Sequence, residues 1–308
     1  MKGQGVQTVY RPLAAALWMT GSIASFTAMA VAGRAVAGAH DTFEIMTWRS
    51  LIGFVLVLGV AQAQGRLGEV RTDRLPSHLL RNVVHFSGQN LWFYALTVIP
   101  LAQVFALEFT APLWVIGLAA LFLGERITRA KIIAVALGFL GILLVARPDF
   151  AAPDPGVVAA LMSAVCFATT SVLTKALTRN ESIVSILFWL TLMQLALGLI
   201  AAGWDGALRL PTMQTLPWLA LIGVCGLCAH FCLTSALSLA PAGIVAPMDF
   251  ARLPVIAVIG WVWYDETVTL GLGLGACLII AGILINLRAG TRVAAQQAQD
   301  HKRMTPHQ

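Results

Sequence analysis

Long apolar stretches alternate with short polar connections along almost the whole chain. A helix needs roughly 20 apolar residues to cross a hydrocarbon core about 30 Å thick, and each stretch is about that long. The pattern therefore predicts ten membrane-spanning helices, at residues 12–32, 42–63, 79–98, 101–123, 130–147, 156–177, 182–203, 215–237, 241–263 and 268–288. These helices leave no room for a soluble domain.

The composition agrees with an all-α integral membrane protein. Of the 308 residues, 58% are apolar and 11% are charged, against about 45–50% and about 25% in soluble domains. The first apolar stretch is longer than the roughly 7–15 residues of a signal-peptide core, so we expect it to remain as a helix. Residues 289–308 are polar and lack apolar periodicity, so they are predicted to form a mobile tail.

Basic residues are distributed unevenly between the two sides of the predicted helices. With the N-terminus in the cytoplasm, fourteen lie in cytoplasmic segments: Lys2, Arg11, Arg66, Arg71, Arg74, Arg126, Arg129, Lys131, Lys175, Arg179, Arg288, Arg292, Lys302 and Arg303. Three, Arg34, Arg147 and Arg209, lie outside. The positive-inside rule therefore predicts a multi-pass protein of the cell inner membrane with both termini in the cytoplasm. The net charge of +6 reflects this topology and gives no reason to expect a nucleic-acid partner.

The chain repeats itself at a constant offset of 141 residues. The shift aligns Trp48 with Trp189, Pro100 with Pro241, Glu125 with Glu266 and Gly141 with Gly282. Each copy, 12–147 and 156–288, holds five predicted helices, and an odd number forces the two copies to cross the membrane in opposite directions. Inverted repeats of this kind are typical of secondary transporters, in which two halves move around a site near the bilayer midplane.

Several segments together resemble the drug/metabolite transporter superfamily, EamA type, over about residues 12–288. These segments are Trp48-Arg49-Ser-Leu-Ile, Trp92-Phe-Tyr-Ala-Leu-Thr-Val-Ile-Pro-Leu-Ala102, Leu123-Gly124-Glu125-Arg126 and Gly138-Phe-Leu-Gly141-Ile. The resemblance implies ten helices in two inverted five-helix halves, alternating access, and secondary transport of a small metabolite or drug-like compound. The second half departs from the pattern, with Asp265-Glu266 in place of Gly-Glu and Leu190 at the equivalent of Arg49.

Two carboxylates inside predicted helices are the first candidates for the translocation site. Glu108 and Asp249 are equivalent at the 141-residue offset and approach the midplane from opposite ends of their helices. A helical proline frees the carbonyl four residues before it, and Pro112 does so at Glu108. Ionisable groups at membrane depth are costly and are usually functional. The alternative is structural, with Glu108 neutralised by Arg49 and Asp249 neutralised by Arg252. In that case the arginines hold the fold or a gate.

A second group of polar candidates lies on the third and eighth predicted helices. His85 and Gln89 share one helix face, and His230 is the repeat equivalent of Gln89. They can bind a polar substrate or relay protons, or they can join helices by hydrogen bonds. Trp18 and Tyr94 are further candidates to line a cavity for a planar or apolar ligand.

The predicted function is secondary transport, with a small molecule and the lipid bilayer as partners. Export is the expected direction, and an uptake carrier of the same fold is the alternative. We expect no cofactor and no metal, because no nucleotide-binding or metal motif occurs, and Cys225, Cys228 and Cys232 are interpreted as helix-packing residues. Titratable carboxylates and histidines leave proton coupling open.

A membrane-embedded enzyme is the alternative class of function. His40 and Asp41 are the only neighbouring acid–base pair in a predicted loop. A channel would need a continuous polar stripe, which no predicted helix was found to carry.

The orientation is tested by cysteine labelling. Because of the basic asymmetry, a cysteine placed in loop 64–78 should be shielded from an impermeant reagent in intact cells, whereas one near Pro153 should react. The reverse pattern would contradict the predicted orientation.

Overall fold

The computed structural model describes residues 10–36, 38–99, 107–146, 155–203, 208–255 and 270–304, together with Val104, Val258 and Val262. The α-helices of this part are α1 (Pro12–Val36), α2 (Thr42–Ala63), α3 (Leu75–Val98), α4 (Ala111–Leu123), α5 (Arg129–Ala146), α6 (Pro155–Leu177), α7 (Ile183–Ala202), α8 (Leu216–Leu239), α9 (Ala242–Val245) and α10 (Leu270–Met304). Short 3-10 helices cover Leu67–Glu69 and Ala246–Ala251. The helical class is confirmed in the described residues. Pro100, Arg147 and Asp265-Glu266 lie outside them.

Six of the helices are long and apolar enough to cross a membrane, as judged by length and composition. They include α1, α2, α6, α7 and α8 over most or all of their lengths, and residues Gly273–Arg292 of α10. Large apolar side chains also cover the outer surface, where Leu121 and Phe122 are 75% and 69% exposed. Such a surface suits lipid rather than water. The chain is thus a multi-pass membrane protein, and the count of ten spans stays a prediction.

The fourth and ninth predicted spans are not continuous α-helices in the described residues. Phe109 and Thr110 form a turn before α4, and α9 ends at Val245, where the chain enters the 3-10 segment Ala246–Ala251. Proline is the physical reason, because it removes a backbone donor and clashes with the preceding turn. Pro112 stands in the first turn of α4, and Pro247 in that of the 3-10 segment.

The last helix is longer than its pattern predicts. α10 continues to Met304, so residues 289–304 are helical rather than irregular. This part of the tail is rich in alanine, glutamine and arginine, which favour a helix without any apolar face. The predicted mobility of the tail remains a prediction.

Helices of one half pack against helices of the other in matching pairs. α1 packs on α8 while α6 packs on α3, and α2 and α5 pack on their own repeat equivalents, α7 and α10. The α5–α10 pair shows the symmetry at atomic detail. A Cβ on Gly141 would lie 2.6 Å from the Gly275 carbonyl oxygen, and a Cβ on Gly282 would lie 2.7 Å from that of Ala134. The two contacts are equivalent at the 141-residue offset.

The helix ends repeat the same symmetry through hydrogen bonds. Trp48 Nε1 donates to the Arg209 carbonyl at 3.1 Å, and Trp189 Nε1 donates to the Arg71 carbonyl at 2.7 Å. In each half, therefore, an indole at the start of the second helix holds the loop before the third helix of the opposite half.

A glycine substitution tests the close contact between α5 and α10. Gly141→Ala should destabilise the protein by about 1–3 kcal/mol, because the added methyl group meets backbone atoms that cannot move aside. Gly117→Ala in α4 is the matched control, since no atom lies within 4 Å of its Cβ position. It should be neutral or stabilise by up to about 1 kcal/mol through helix propensity. Thermal unfolding of the detergent-solubilised protein measures both, and an equal effect of the two changes would refute the close contact.

Candidate functional site

Arg252 joins the two predicted carboxylates in one buried cluster. Its Nη2 donates to Glu108 Oε1 at 2.5 Å and to Asp249 Oδ2 at 3.1 Å. The side chains of Arg252 and Glu108 are 9% and 10% exposed, and that of Asp249 is 28% exposed. The first half supplies Glu108 and the second half supplies Arg252 and Asp249, so an ion-pair triad connects the two halves.

Aromatic rings and irregular backbone surround the triad. Trp92 Nε1 of α3 donates to Glu108 Oε2 at 2.8 Å, and the Arg252 guanidinium lies 5.1 Å from the centre of the Phe109 ring. Asp249 Oδ1 is buried and accepts no hydrogen bond. Glu108 and Asp249 each stand where a proline interrupts the regular helix, which is the kind of backbone that membrane proteins tolerate beside cavities or packed protein.

Arg49 does not neutralise Glu108, so that part of the structural alternative is wrong. Its other part, the pairing of Asp249 with Arg252, is present at 3.1 Å. The cause is the packing of the helices. α2 carries Arg49 against α7 and α8, whereas Glu108 lies before α4 beside the 3-10 segment Ala246–Ala251.

A buried polar stripe runs along part of α3 and extends beyond the predicted pair of His85 and Gln89. The stripe consists of His78, Arg81, Asn82, His85 and Gln89, all at most 7% exposed. Their three- and four-residue spacing places them on one face over about 16 Å of helix. Arg81 Nε donates to Thr174 Oγ1 at 2.9 Å, and Gln194 Nε2 donates to the Asn82 carbonyl at 2.8 Å. Sequence reasoning missed His78, Arg81 and Asn82, although their spacing was the available signal.

The predicted histidine group forms in the middle of the bundle. The rings of His85 and His230 lie 5.0 Å apart, edge to face, although their helices belong to different halves. Phe26 packs on His230 at 5.5 Å and on the Arg252 guanidinium at 5.7 Å, so it separates the histidines from the triad. Both ring nitrogens of His85, Nε2 of His230 and Oε1 of Gln89 are buried and have no hydrogen-bond partner among the residues that the structure describes.

Arg49 lies on the other side of His230, in a narrow cleft between α2, α7 and α8. Ser50, Thr191, Gln194, Gly226 and His230 are among the residues that line the cleft with it. The Arg49 side chain lies directly on Gly226, where a Cβ would come within 2.6 Å of Arg49 Nε. The site therefore combines a cationic cleft, a histidine pair and an anionic triad across the bundle.

Trp18 and Tyr94 are more exposed than these buried groups. Trp18 is 37% exposed and packs edge to face on Phe231, and Tyr94 is 47% exposed. Their role as cavity residues stays a prediction.

Two buried glutamates that sequence reasoning did not single out as site residues hold helix ends together. Glu125 accepts hydrogen bonds from the Ala242 and Gly243 backbone nitrogens, at 2.7 and 3.1 Å, and from Lys131 Nζ at 3.0 Å. Burial and the nearby Glu125 carboxylate raise the pKa of Tyr10 to about 12. At the opposite end of the bundle, Glu44 accepts from the Arg209 backbone nitrogen at 2.6 Å. Each glutamate therefore fixes a junction between the two halves.

His40 and Asp41, the acid–base pair considered for a membrane enzyme, lie at the start of α2 and make structural hydrogen bonds there. Asp41 caps α2 by accepting from the Glu44 backbone nitrogen at 2.9 Å. His40 lies between Glu44 and Thr215, at 3.2 and 3.1 Å. His40 thus holds the start of α2 against the start of α8, whereas Asp41 caps α2 itself.

Comparison with known proteins identifies relatives along most of the chain. The EamA-like transporter family matches twice, at residues 13–147 and 154–288. A riboflavin transporter of Brucella anthropi is 33% identical over 248 residues, which cover 79% of this chain and 87% of that protein. A riboflavin transporter of Rhizobium johnstonii is 30% identical, covering 90% and 92% of the two chains. An S-adenosylmethionine uptake transporter of Rickettsia bellii is 25% identical, covering 87% and 91%.

The fold also matches a solved structure. One crystal structure superposes with a TM-score of 0.77 and covers 91% of this chain and 98% of its own, at 18% sequence identity. The two family matches fall on the two halves that the 141-residue offset defines. The chain belongs to the EamA-like transporter family, in the drug/metabolite transporter superfamily, and is a transporter of small metabolites.

Proposed function

We propose that the protein carries a small heteroaromatic metabolite across the inner membrane by alternating access of two inverted five-helix halves, with a flavin as the first candidate substrate. The observation that carries the proposal is the buried polar site that both halves build together, from Glu108, Arg252 and the His85–His230 pair. Two relatives at 33% and 30% identity are named riboflavin transporters, which supports the choice of substrate.

The direction of transport has two candidates. The sequence favours export, and the uptake carrier is its alternative. The Rickettsia bellii relative is named for uptake, and this supports testing uptake first. In either direction transport is secondary, because the sequence holds no nucleotide-binding motif.

The charge balance of the triad supports coupling to protons. Glu108 and Asp249 bring two negative charges and Arg252 brings one positive charge. One proton would make the cluster neutral, and buried acidic groups in membrane transporters commonly carry protons in this way. His85 and His230 are the nearby titratable groups on α3 and α8, with Phe26 between His230 and the triad.

A transport assay tests the substrate and the energy source. Proteoliposomes that contain the purified chain should accumulate labelled riboflavin when a proton gradient is imposed, and should lose this activity when the gradient is collapsed. Empty liposomes are the control, and flux is measured in both directions. Accumulation that needs ATP with all gradients collapsed, or no flux of riboflavin at all, would overturn the proposal.

The triad is tested by neutral isosteres of its two acids. Glu108→Gln and Asp249→Asn should each leave a normal amount of folded protein, because Arg252 keeps one carboxylate partner in either variant. At least one of them should lower transport by about tenfold or more and remove its pH dependence. Transport rates at several pH values, at equal protein level, are the measurement. Wild-type kinetics and pH dependence in both variants would contradict a transport role for the acids.

Arg252→Gln is the control that removes the cation of the triad instead of an acid. It leaves the buried carboxylate of Glu108 and the partly exposed carboxylate of Asp249 without their cation, and breaking a buried ion pair should cost about 3–5 kcal/mol of stability. A marked loss of folded protein is therefore expected in this variant and not in the two amide variants.

A further inference from the structure

The cleft around Arg49 carries positive charge that no described residue neutralises. Arg49 is 9% exposed and forms no hydrogen bond or ion pair within the described part of the chain. Arg81 is 1% exposed, and its hydrogen-bond partners, Thr174 Oγ1 and Asn82 Oδ1, are both neutral. Arg81 is connected to the cleft through its neighbour Asn82, whose carbonyl accepts a hydrogen bond at 2.8 Å from Gln194, a residue that lines the cleft. Two cations thus share the middle of the bundle without a carboxylate among the described residues.

This arrangement differs from that of Arg252. Arg252 lies at the same low exposure but holds two carboxylates within 3.1 Å. A buried charge in hydrocarbon costs several kcal/mol unless an opposite charge compensates it. Arg49 has no such compensation, so its charge costs stability unless a ligand supplies the anion.

Two neighbouring polar atoms also lack partners in the described part of the chain. Gln194 Oε1 and His230 Nε2, on two helices that line the cleft, are buried and make no hydrogen bond with any described residue. The Nε2 atom of Gln194 is held by the Asn82 carbonyl, which fixes the direction of the free Oε1 acceptor. The cleft thus brings together the Arg49 guanidinium, the Gln194 Oε1 acceptor and the His230 Nε2 atom.

We infer that the Arg49 cleft binds an oxyanion of the transported metabolite, a carboxylate or a phosphate group. The guanidinium is planar and its N–H groups match the two oxygens of such an anion. The inference rests on the proposed function and narrows its substrate to a metabolite that carries an oxyanion, which among the flavins is riboflavin 5′-phosphate and not riboflavin itself. The cleft is too narrow for a whole metabolite in this conformation, so the helices must separate before the anion enters, as alternating access requires.

Inorganic phosphate is the probe for the cleft. The full chain is purified in a non-ionic detergent, and its unfolding temperature is measured with increasing phosphate against chloride at the same ionic strength and pH. A ligand that binds the folded state raises this temperature in a saturable way. The wild type should show such a rise, and Arg49→Gln should lower the affinity for phosphate by about ten- to a hundredfold.

Two further variants make the result specific. Arg288→Gln removes an exposed arginine of α10 and should keep the wild-type response. Arg49→Lys keeps the positive charge but loses the planar guanidinium with its paired N–H donors, so it should bind phosphate with an intermediate affinity. If Arg49→Gln fails to fold, the inference is tested by Arg49→Lys alone, which should bind phosphate more weakly than the wild type. No response of the wild type, or an equal response in both Arg49 variants and the wild type, would overturn the inference.

A matched pair of flavins separates this inference from the proposed function. Riboflavin 5′-phosphate should compete for the site more strongly than riboflavin in the wild type, and the preference should vanish in Arg49→Gln. Riboflavin transport without any phosphate response would refute the oxyanion site and leave the proposed function standing. A phosphate response that depends on Arg49, without any flavin transport, would support the oxyanion site and refute a flavin as the substrate. The site would then belong to another metabolite that carries an oxyanion.

Discussion

The ion-pair triad of Arg252, Glu108 and Asp249 is the interaction on which the centre of this protein depends. The first half cannot compensate its own charge there, because it supplies only the acid Glu108, whereas the second half supplies the cation and the other acid. In a medium of low dielectric constant, separating these groups is costly. The triad therefore joins the two halves of the chain through a shared ion-pair cluster.

The charges of the core are divided into two clusters of opposite sign. The triad has one more carboxylate than cation, whereas Arg49 and Arg81 have no carboxylate partner among the described residues. Phe26 and the His85–His230 pair lie between them. This separation prevents the arginines of the cleft from neutralising the acids directly. Helix α3 contributes to both regions, through the stripe around His85 and through the Trp92 hydrogen bond to Glu108.

Part of the site could be predicted from the sequence because it obeys the repeat. Glu108 and Asp249 are equivalent at the 141-residue offset, and both join the triad; Gln89 and His230 are equivalent, and both are buried in the core. Arg81 and Arg49 have no charged counterpart in the second half, so the repeat gave no reason to place them together. Trp18 and Tyr94 are candidates by their chemistry alone, and they are more exposed than the buried groups.

The sequence by itself determined the membrane class, the helical stretches and the two related halves, because these follow from the length of apolar runs and from a constant offset. Local chemistry also marked the proline interruptions beside Glu108 and Asp249. Only the tertiary structure decided which charges meet. Arg252 rather than Arg49 holds Glu108, because α2 packs on α7 and α8 and carries Arg49 away from the acid. Ion pairing across 144 residues depends on how helices are arranged around each other, and apolar periodicity does not encode that arrangement.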